Sequence, residues 1–233
     1  MPARAKQRTA RASARPRRTQ EERSQETRAR LLDAATAILL EQGYAQLTTE
    51  AVSSRAGVTN GARAYHYASK LDLIVATAES IHRANMSVGY DMLARSMVGG
   101  DPVESYVEFS RTLYFDTNFV AFNEVSAAAR TDPELLARLQ PMVSEYRQLV
   151  ERAWVDAIVR KGHAREWARA MVMITFHMFR SMATNPLWND AAETNRDAVA
   201  MWRRLIASDQ TAGGVGESGA PPAAKASQVK RRR

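Results

Sequence analysis

From residue 20 onward the chain keeps a helical rhythm of apolar positions. Leu32, Ala35 and Leu39, joined by Leu31 and Ile38, form one stripe, and Thr19 with Glu22 three residues later is a capping box, so the pattern predicts a helix over 20–42. Gly43 follows as a residue able to take the left-handed conformation that stops a helix, which lets Tyr44 and Leu47 fold back onto the core. Thr48 caps a helix of only two turns over 49–55, Ala56-Gly57-Val58 breaks it, and Thr59 caps a second short helix reaching residue 66. Ser69 with Asp72 opens a longer helix that carries Leu73, Thr77, Ile81, Ala84 and Val88 on one side to about residue 98, where Gly99-Gly100-Asp101-Pro102 ends it.

Beyond that break the pattern predicts helices at about 103–115, 119–130, 133–161, 165–187 and 191–208, with Pro133 in a first-turn position and Gly162 as a terminator. That makes nine helices and an all-α fold. The helix at 133–161 repeats apolar residues at 135, 139, 142, 146, 149 and 153, and at ~1.5 Å per residue it spans roughly 43 Å as a backbone for the second half. Residues 170–179 (AMVMITFHMF) are apolar nearly all round, a pattern that asks for burial on two sides, one within the protomer and one against a partner.

Composition narrows the function classes. The 233 residues, 45% apolar and 25% charged, suffice for one domain or two small ones, and no stretch approaches the ~18 uninterrupted apolar residues of a membrane span. Cysteine is absent, which removes disulfides and thiolate chemistry and fits a cytoplasmic location. Residues 1–18 carry seven Arg and Lys and no acid, and residues 210–233 five bases against Glu217. Taking that +7 and +4 from the whole-chain +8 leaves the 19–209 body at −3. The chain thus divides into a basic arm (1–18), a compact body and a basic tail (210–233) rich in Gly, Ala, Ser and Pro and expected to be disordered. Such arms either meet phosphates or are simply solvated, and the first resembles a transit peptide in composition but lacks its apolar face.

The four histidines, His66, His82, His163 and His177, show no metal-ligand spacing, and there is neither a Gly-rich loop after a strand nor a nucleophile elbow, so no cofactor, metal or catalytic role is expected. Two short helices joined by a Gly-containing three-residue turn are instead a helix-turn-helix, whose second helix enters the DNA major groove. The run from Leu47 to Lys70 resembles the DNA-binding signature of the tetracycline-repressor (TetR) family. Its specific part is Ala56-Gly57-Val58-Thr59-Asn60-Gly61, then His66-Tyr67-Ala68-Ser69-Lys70 before a long helix, and the likeness covers about residues 24–75.

The resemblance implies a homodimeric repressor that binds duplex DNA at a palindromic operator through residues 19–69, with a larger helical domain at 70–209 that dimerises and binds a small-molecule effector. Carried onto this sequence, it places Thr48 and Thr49 against phosphate, Asn60, Gly61 and Ala62 (after the cap Thr59) at base edges, Tyr65 and His66 on bases or backbone, and Lys70 on a phosphate. His66 and Tyr65 fit equally a packing role behind the helix. Ala64 departs from the family's usual Tyr, and Arg63 replaces a residue that is often apolar, so it either reaches a guanine or lies solvated along the helix.

For an effector pocket the aromatic and soft side chains available are Tyr90, Tyr106, Phe109, Phe119, Phe122, Met142, Tyr146, Phe176 and His177. Glu124 is the polar residue there most in need of a partner, with Arg180 preferred over a ligand. The dimer face is expected on the last two helices, from Met171, Ile174 and Met178 with Ala198, Trp202 and Leu205. A different class of function, a helical binding protein whose basic tails engage RNA or an anionic membrane, is separable by sequence-specific retention on a duplex palindrome.

Overall fold

The computed structural model describes residues 19–184 and 191–212. Among them are nine α-helices and no strand: α1 (Gln20–Gln42), α2 (Thr49–Ala56), α3 (Asn60–His66), α4 (Lys70–Met97), α5 (Pro102–Tyr114), α6 (Thr117–Ala129), α7 (Pro133–Arg160), α8 (Arg165–Ala183) and α9 (Ala191–Ala212). No helix among the described residues is long and apolar enough to cross a membrane. The basic arm and the residues from 213 onward lie outside the described residues, as do 185–190, which include the expected last turn of α8. Three boundaries shift by more than one residue, the first being α8, which ends at Ala183 with Thr184 as its C-cap where residue 187 was expected. The helix expected from residue 119 begins at Thr117, because Asp116 accepts the Asn118 N–H at 2.8 Å, and α9 continues to Ala212, past the expected start of the tail.

The caps form as the sequence predicts. Glu22 N–H donates to Thr19 Oγ1 at 3.1 Å while Thr19 N–H donates to the Glu22 carboxylate at 2.8 Å, and Ser69 with Asp72 repeats the exchange. Gly43 differs from expectation, since at φ 78° and ψ 176° it leaves α1 in an extended direction instead of the left-handed helical one. That region is essentially glycine's own. It starts the chain into a short 3-10 turn at Tyr44–Gln46.

Two hydrophobic cores result. The first gathers Leu31, Ile38 and Leu39 of α1, Leu47, Val52 of α2, Leu73, Ile74 and Ile81 of α4, Phe122 and Val125 of α6, and Leu135 and Leu139 of α7. The second gathers Tyr106 and Phe109 of α5, Phe119 of α6, Trp154 and Ile158 of α7, Val172 and Phe179 of α8, and Ile206 of α9. The first core therefore does not stop at residue 69. Helices α4, α6 and α7 give residues to both, and in α7 Pro141, which has no N–H to donate, falls between Leu139 of the first core and Trp154 of the second.

Candidate nucleic-acid interface and effector cavity

The turn between α2 and α3 is built by one glycine and one distant arginine. Gly57 takes φ 63° and ψ 40°, the left-handed cap that ends α2, and its N–H reaches back to the Ser53 and Ser54 carbonyls. Arg30, on α1, donates from Nη2 to the carbonyls of Ala56 and, at 3.1 Å, Gly57. A Cβ at Gly57 would lie 2.8 Å from Arg30 Nη2, so any side chain there displaces the arginine that holds the turn, besides straining a backbone at φ 63°. The Thr59 hydroxyl oxygen accepts from Ala62 N–H and that of Thr48 from Ala51 N–H, both at 3.1 Å, and the Thr48 hydroxyl also meets the Glu50 carboxylate.

What α3 shows to solvent is a narrow polar strip. Thr59, Asn60, Gly61, Ala64 and Tyr65 are exposed, Tyr65 by 83%, and around Gly61 the nearest atom to a hypothetical Cβ is its neighbour Thr59 Oγ1 at 3.9 Å. Lys70 opens α4 beside this strip with its Nζ 5.0 Å from the Tyr44 ring, and no carboxylate of the described residues forms an ion pair with it. A cation at a helix N-terminus is unfavourable without an anion, so the position suits a phosphate. His66 is half-buried, its ring edge-on to Tyr65 at 5.1 Å, and burial and then the neighbouring Arg28 hold its pKa below the ordinary histidine value. Arg63 turns away from this strip. Its Nη1 donates to the Tyr67 carbonyl at 2.9 Å and its Nε is buried, so the arginine closes the C-terminal end of α3.

The second region is a cavity of about 80 Å³ where the two cores meet. Its wall is aromatic: Tyr106, Phe109, Tyr114, Phe119, Phe122, Tyr146 and Phe176 line it with Val143, Val150, Val172 and Met173. Polar groups are few. His82 is 9% exposed and wedged between Phe122 at 4.3 Å and Tyr146 at 4.9 Å, and burial with no compensating partner pushes its pKa down to about 4, so the ring is neutral at physiological pH. Neither ring nitrogen has a hydrogen-bond partner, and neither has the Tyr146 hydroxyl, whose pKa burial lifts to about 12. Tyr106, by contrast, donates to the Val172 carbonyl at 3.2 Å. Toward the opening stand Arg147 and Arg180, the latter 6.0 Å over the Phe119 ring, and Glu151, which pairs with Arg169 at 3.7 Å.

Comparison with known proteins fits this arrangement. The family model described as bacterial regulatory proteins, tetR family, matches residues 31–77. The HTH-type transcriptional regulator CymR of Pseudomonas putida is 31% identical over 177 residues, which cover 76% of this chain and 87% of CymR. This chain belongs to the TetR family. The fold agrees: a transcriptional regulator from Rhodococcus sp. Rha1 superposes with a TM-score of 0.64 at 17% identity over 78% of this chain and 96% of that one. The multidrug binding protein EbrR, solved with imidazole, does so at 0.55 and 23% identity over 75% and 93%. This TetR-family chain is thus a DNA-binding regulator of transcription with a helix-turn-helix, and its relatives are regulators too.

Within that frame the structure sorts the residues singled out in the sequence. Asn60, Gly61 and Tyr65 share the exposed strip with Thr59, Thr48 and Lys70 flank it, and Thr49 is half-buried with its hydroxyl donating to Glu50 at 3.0 Å. Ala62 is half-buried. Tyr106, Phe109, Phe122, Tyr146 and Phe176 meet at the cavity, with Phe119. Four others do not. Tyr90 is 49% exposed and lines a separate small pocket with Trp154, Met142 packs against the first core, and His177 is exposed to solvent. Glu124 does not pair with Arg180: its carboxylate accepts the Tyr44 N–H at 3.2 Å and lies 3.2 Å from where a Cβ on Gly43 would sit, joining α6 to the end of α1.

On the α8 and α9 faces, Met171 is 2% exposed and belongs to its own protomer's core, because α8 buries Ala168, Met171, Val172, Thr175 and Phe179 inward. Trp202 is also turned inward, its indole N–H donating to Thr175 Oγ1 at 2.9 Å, and Met178 and Ala198 are half-buried. Ile174 and Leu205 are exposed by 48% and 52%, and Met201, which the sequence reading passed over, joins them at 51%. Arg30, His82 and Tyr114 were missed as well. The spacing that hides them is long: Arg30 acts 26 residues away, and His82 joins its neighbours only through α6 and α7.

Proposed function

We propose that this chain represses transcription as a two-fold homodimer that grips an inverted-repeat operator through α3 and releases it when a small molecule enters the cavity. The observation that carries the reading is the strip of α3, with Asn60, Gly61 and an 83% exposed Tyr65 beside a Lys70 that pairs with no carboxylate of the described residues. Thr48, Thr49 and Lys70 serve phosphates from two helix N-termini, while Asn60, Gly61, Ala62 and Tyr65 approach base edges. Exposed Ile174, Met201 and Leu205 form the dimer face, which sets the two α3 helices about one DNA turn apart, on the order of 34–36 Å, or a multiple of it.

Release follows from the size of the cavity. At about 80 Å³ it is smaller than the ~150 Å³ cavity that accepts benzene, so a ligand widens it on entry. Helix α6 carries Phe119 and Phe122 in the wall and Glu124 on the Tyr44 N–H, and so transmits the widening to the end of α1. EbrR, a protein of the same fold, holds the small molecule imidazole. Acting on chromosomal DNA would place the protein on the nucleoid.

The test is retardation of a duplex carrying the inverted repeat upstream of the protein's own gene. Binding weakens as salt rises. Lys70→Ala lowers affinity about equally for every sequence, whereas Asn60→Ala costs roughly 1–3 kcal/mol at one base position only. Equal loss at all positions would remove Asn60 as a reader. Leu205→Asp gives a monomer by light scattering that no longer holds the operator, and a wild-type monomer that binds a half-site tightly overturns the mechanism.

A further inference from the structure

The cavity holds more polar capacity than it uses. His82, buried, and Tyr146, half-buried with its hydroxyl shut off from solvent, stand with rings 4.9 Å apart, and three of their hydrogen-bonding atoms, the two imidazole nitrogens and the phenolic oxygen, have no partner among the described residues. An unpaired buried polar group is costly, and natural proteins keep few of them. The other polar groups of the lining are differently placed: Tyr106 donates to the Val172 carbonyl and meets the Ser110 hydroxyl, while Asn85 is half-buried and Tyr114 lies edge-on to Phe119 and Phe176.

Resting on the effector reading above, we propose that the ligand is a single aromatic ring bearing one uncharged hydrogen-bonding group, a phenol-like hydroxyl, which seats against His82 and Tyr146. The ring meets the faces and edges of Phe109, Phe119, Phe122 and Phe176, where flat ligands gain offset and edge contacts. The hydroxyl both donates and accepts, matching a neutral imidazole that offers one donor and one acceptor and a tyrosine that offers either. Charge is disfavoured at this end. No acid or base stands against His82, so a carboxylate there would need a proton brought along with it, and an ammonium would meet no carboxylate, because Glu151 already faces Arg169. Of the arginines in the lining, Arg147 is solvent-exposed and Arg180 lies 6.0 Å over the Phe119 ring, and neither forms a ring contact or hydrogen bond with His82 among the described residues.

Calorimetry on the full-length protein without DNA compares phenol, toluene, benzoate and benzylammonium, four single rings that differ in the group they carry. Phenol is expected to bind tightest, and Tyr146→Phe, which removes only the hydroxyl, is expected to weaken phenol about tenfold and leave toluene unchanged. His82→Phe replaces two unpaired nitrogens by a ring of similar shape, so it is expected to raise the melting temperature of the free protein and to weaken phenol. A residue that served structure alone would not give that pair of opposite effects. Preference for benzoate or benzylammonium, equal affinity for toluene and phenol, or no binding of any of the four overturns the proposal. Operator release is read separately: phenol that binds but leaves the operator complex intact supports the ligand class and refutes the regulatory reading, whereas release by a charged ring alone does the reverse.

Discussion

The reading head and the cavity solve opposite problems. In the head, the backbone ends are tied off locally: Thr48, Thr59 and Ser69 cap the helices they precede, and Arg30 satisfies the carbonyls of the turn. Only Arg63 Nε and the Tyr67 hydroxyl are buried there without a partner among the described residues. In the cavity, polar groups point inward and are left open, His82 and Tyr146 above all. A surface that meets DNA must be rigid before the DNA arrives, and backbone geometry fixes it. A pocket that meets a small molecule keeps bonding capacity in reserve, which costs stability while it is empty.

If this contrast holds, the largest effect comes from bending the head's backbone. Gly57→Val puts a branched side chain at φ 63° and against Arg30, and is expected to cost roughly 3 kcal/mol by urea denaturation and to abolish operator binding. Retention of wild-type stability would mean that the turn is not rigid.

The cavity is broken by protons. Unfolded, His82 titrates near 6.5, and folded it titrates near 4, so between these values only the unfolded chain takes up the proton. The stability contributed by keeping His82 neutral is complete above about pH 6.5 and is lost as pH falls to about 4, on the order of 3 kcal/mol. His66 titrates in the same direction, so the measurement is the difference between wild type and His82→Phe, whose pH profile is expected to be flatter. Parallel profiles would show that His82 is not held neutral.

A smaller effect probes the joint between the two regions. Glu124→Ala leaves the half-buried Tyr44 N–H without its acceptor, at about 1 kcal/mol. Ligand affinity is expected to persist while the ligand's effect on operator affinity shrinks, and an undiminished effect would move the coupling elsewhere. Smallest of all is Arg55→Ala. It removes the bidentate pair with Glu41, both contacts at 2.6 Å, yet the pair is exposed, so the melting temperature is expected to stay within error.

The same contrast decides what was legible in the sequence. Helix order, the caps at Thr19, Thr48, Thr59 and Ser69, and the Gly57 turn rest on residues within a few positions of each other, and the pattern carried them. Arg63 was ambiguous because periodicity places a residue on a helix but does not say that its guanidinium folds back to the Tyr67 carbonyl. Glu124 was matched to the wrong partner because its acceptor role depends on Gly43 leaving α1 at ψ 176°, a backbone choice no residue type announces. For the cavity, aromatic residues were easy to nominate but their helical phase was not: Tyr90 and His177 have the right chemistry and face elsewhere. His82 has the reverse history, set aside for lack of metal spacing and then found between Phe122 and Tyr146.

Helix α6 has a consequence for anyone who wishes to recombine such proteins. Ala121, Phe122, Val125 and Ala129 belong to the core that supports the reading head, while Phe119, one turn earlier, belongs to the core that surrounds the cavity. A cut at Ser69, where the helix-turn-helix motif ends in sequence, would strip that head of the side chains that fill its floor. A working hybrid with a foreign sensor would have to transplant the α6 face together with the head, or rebuild its complement in the recipient. Interchangeable parts in this protein are defined by shared packing and not by the order of the chain.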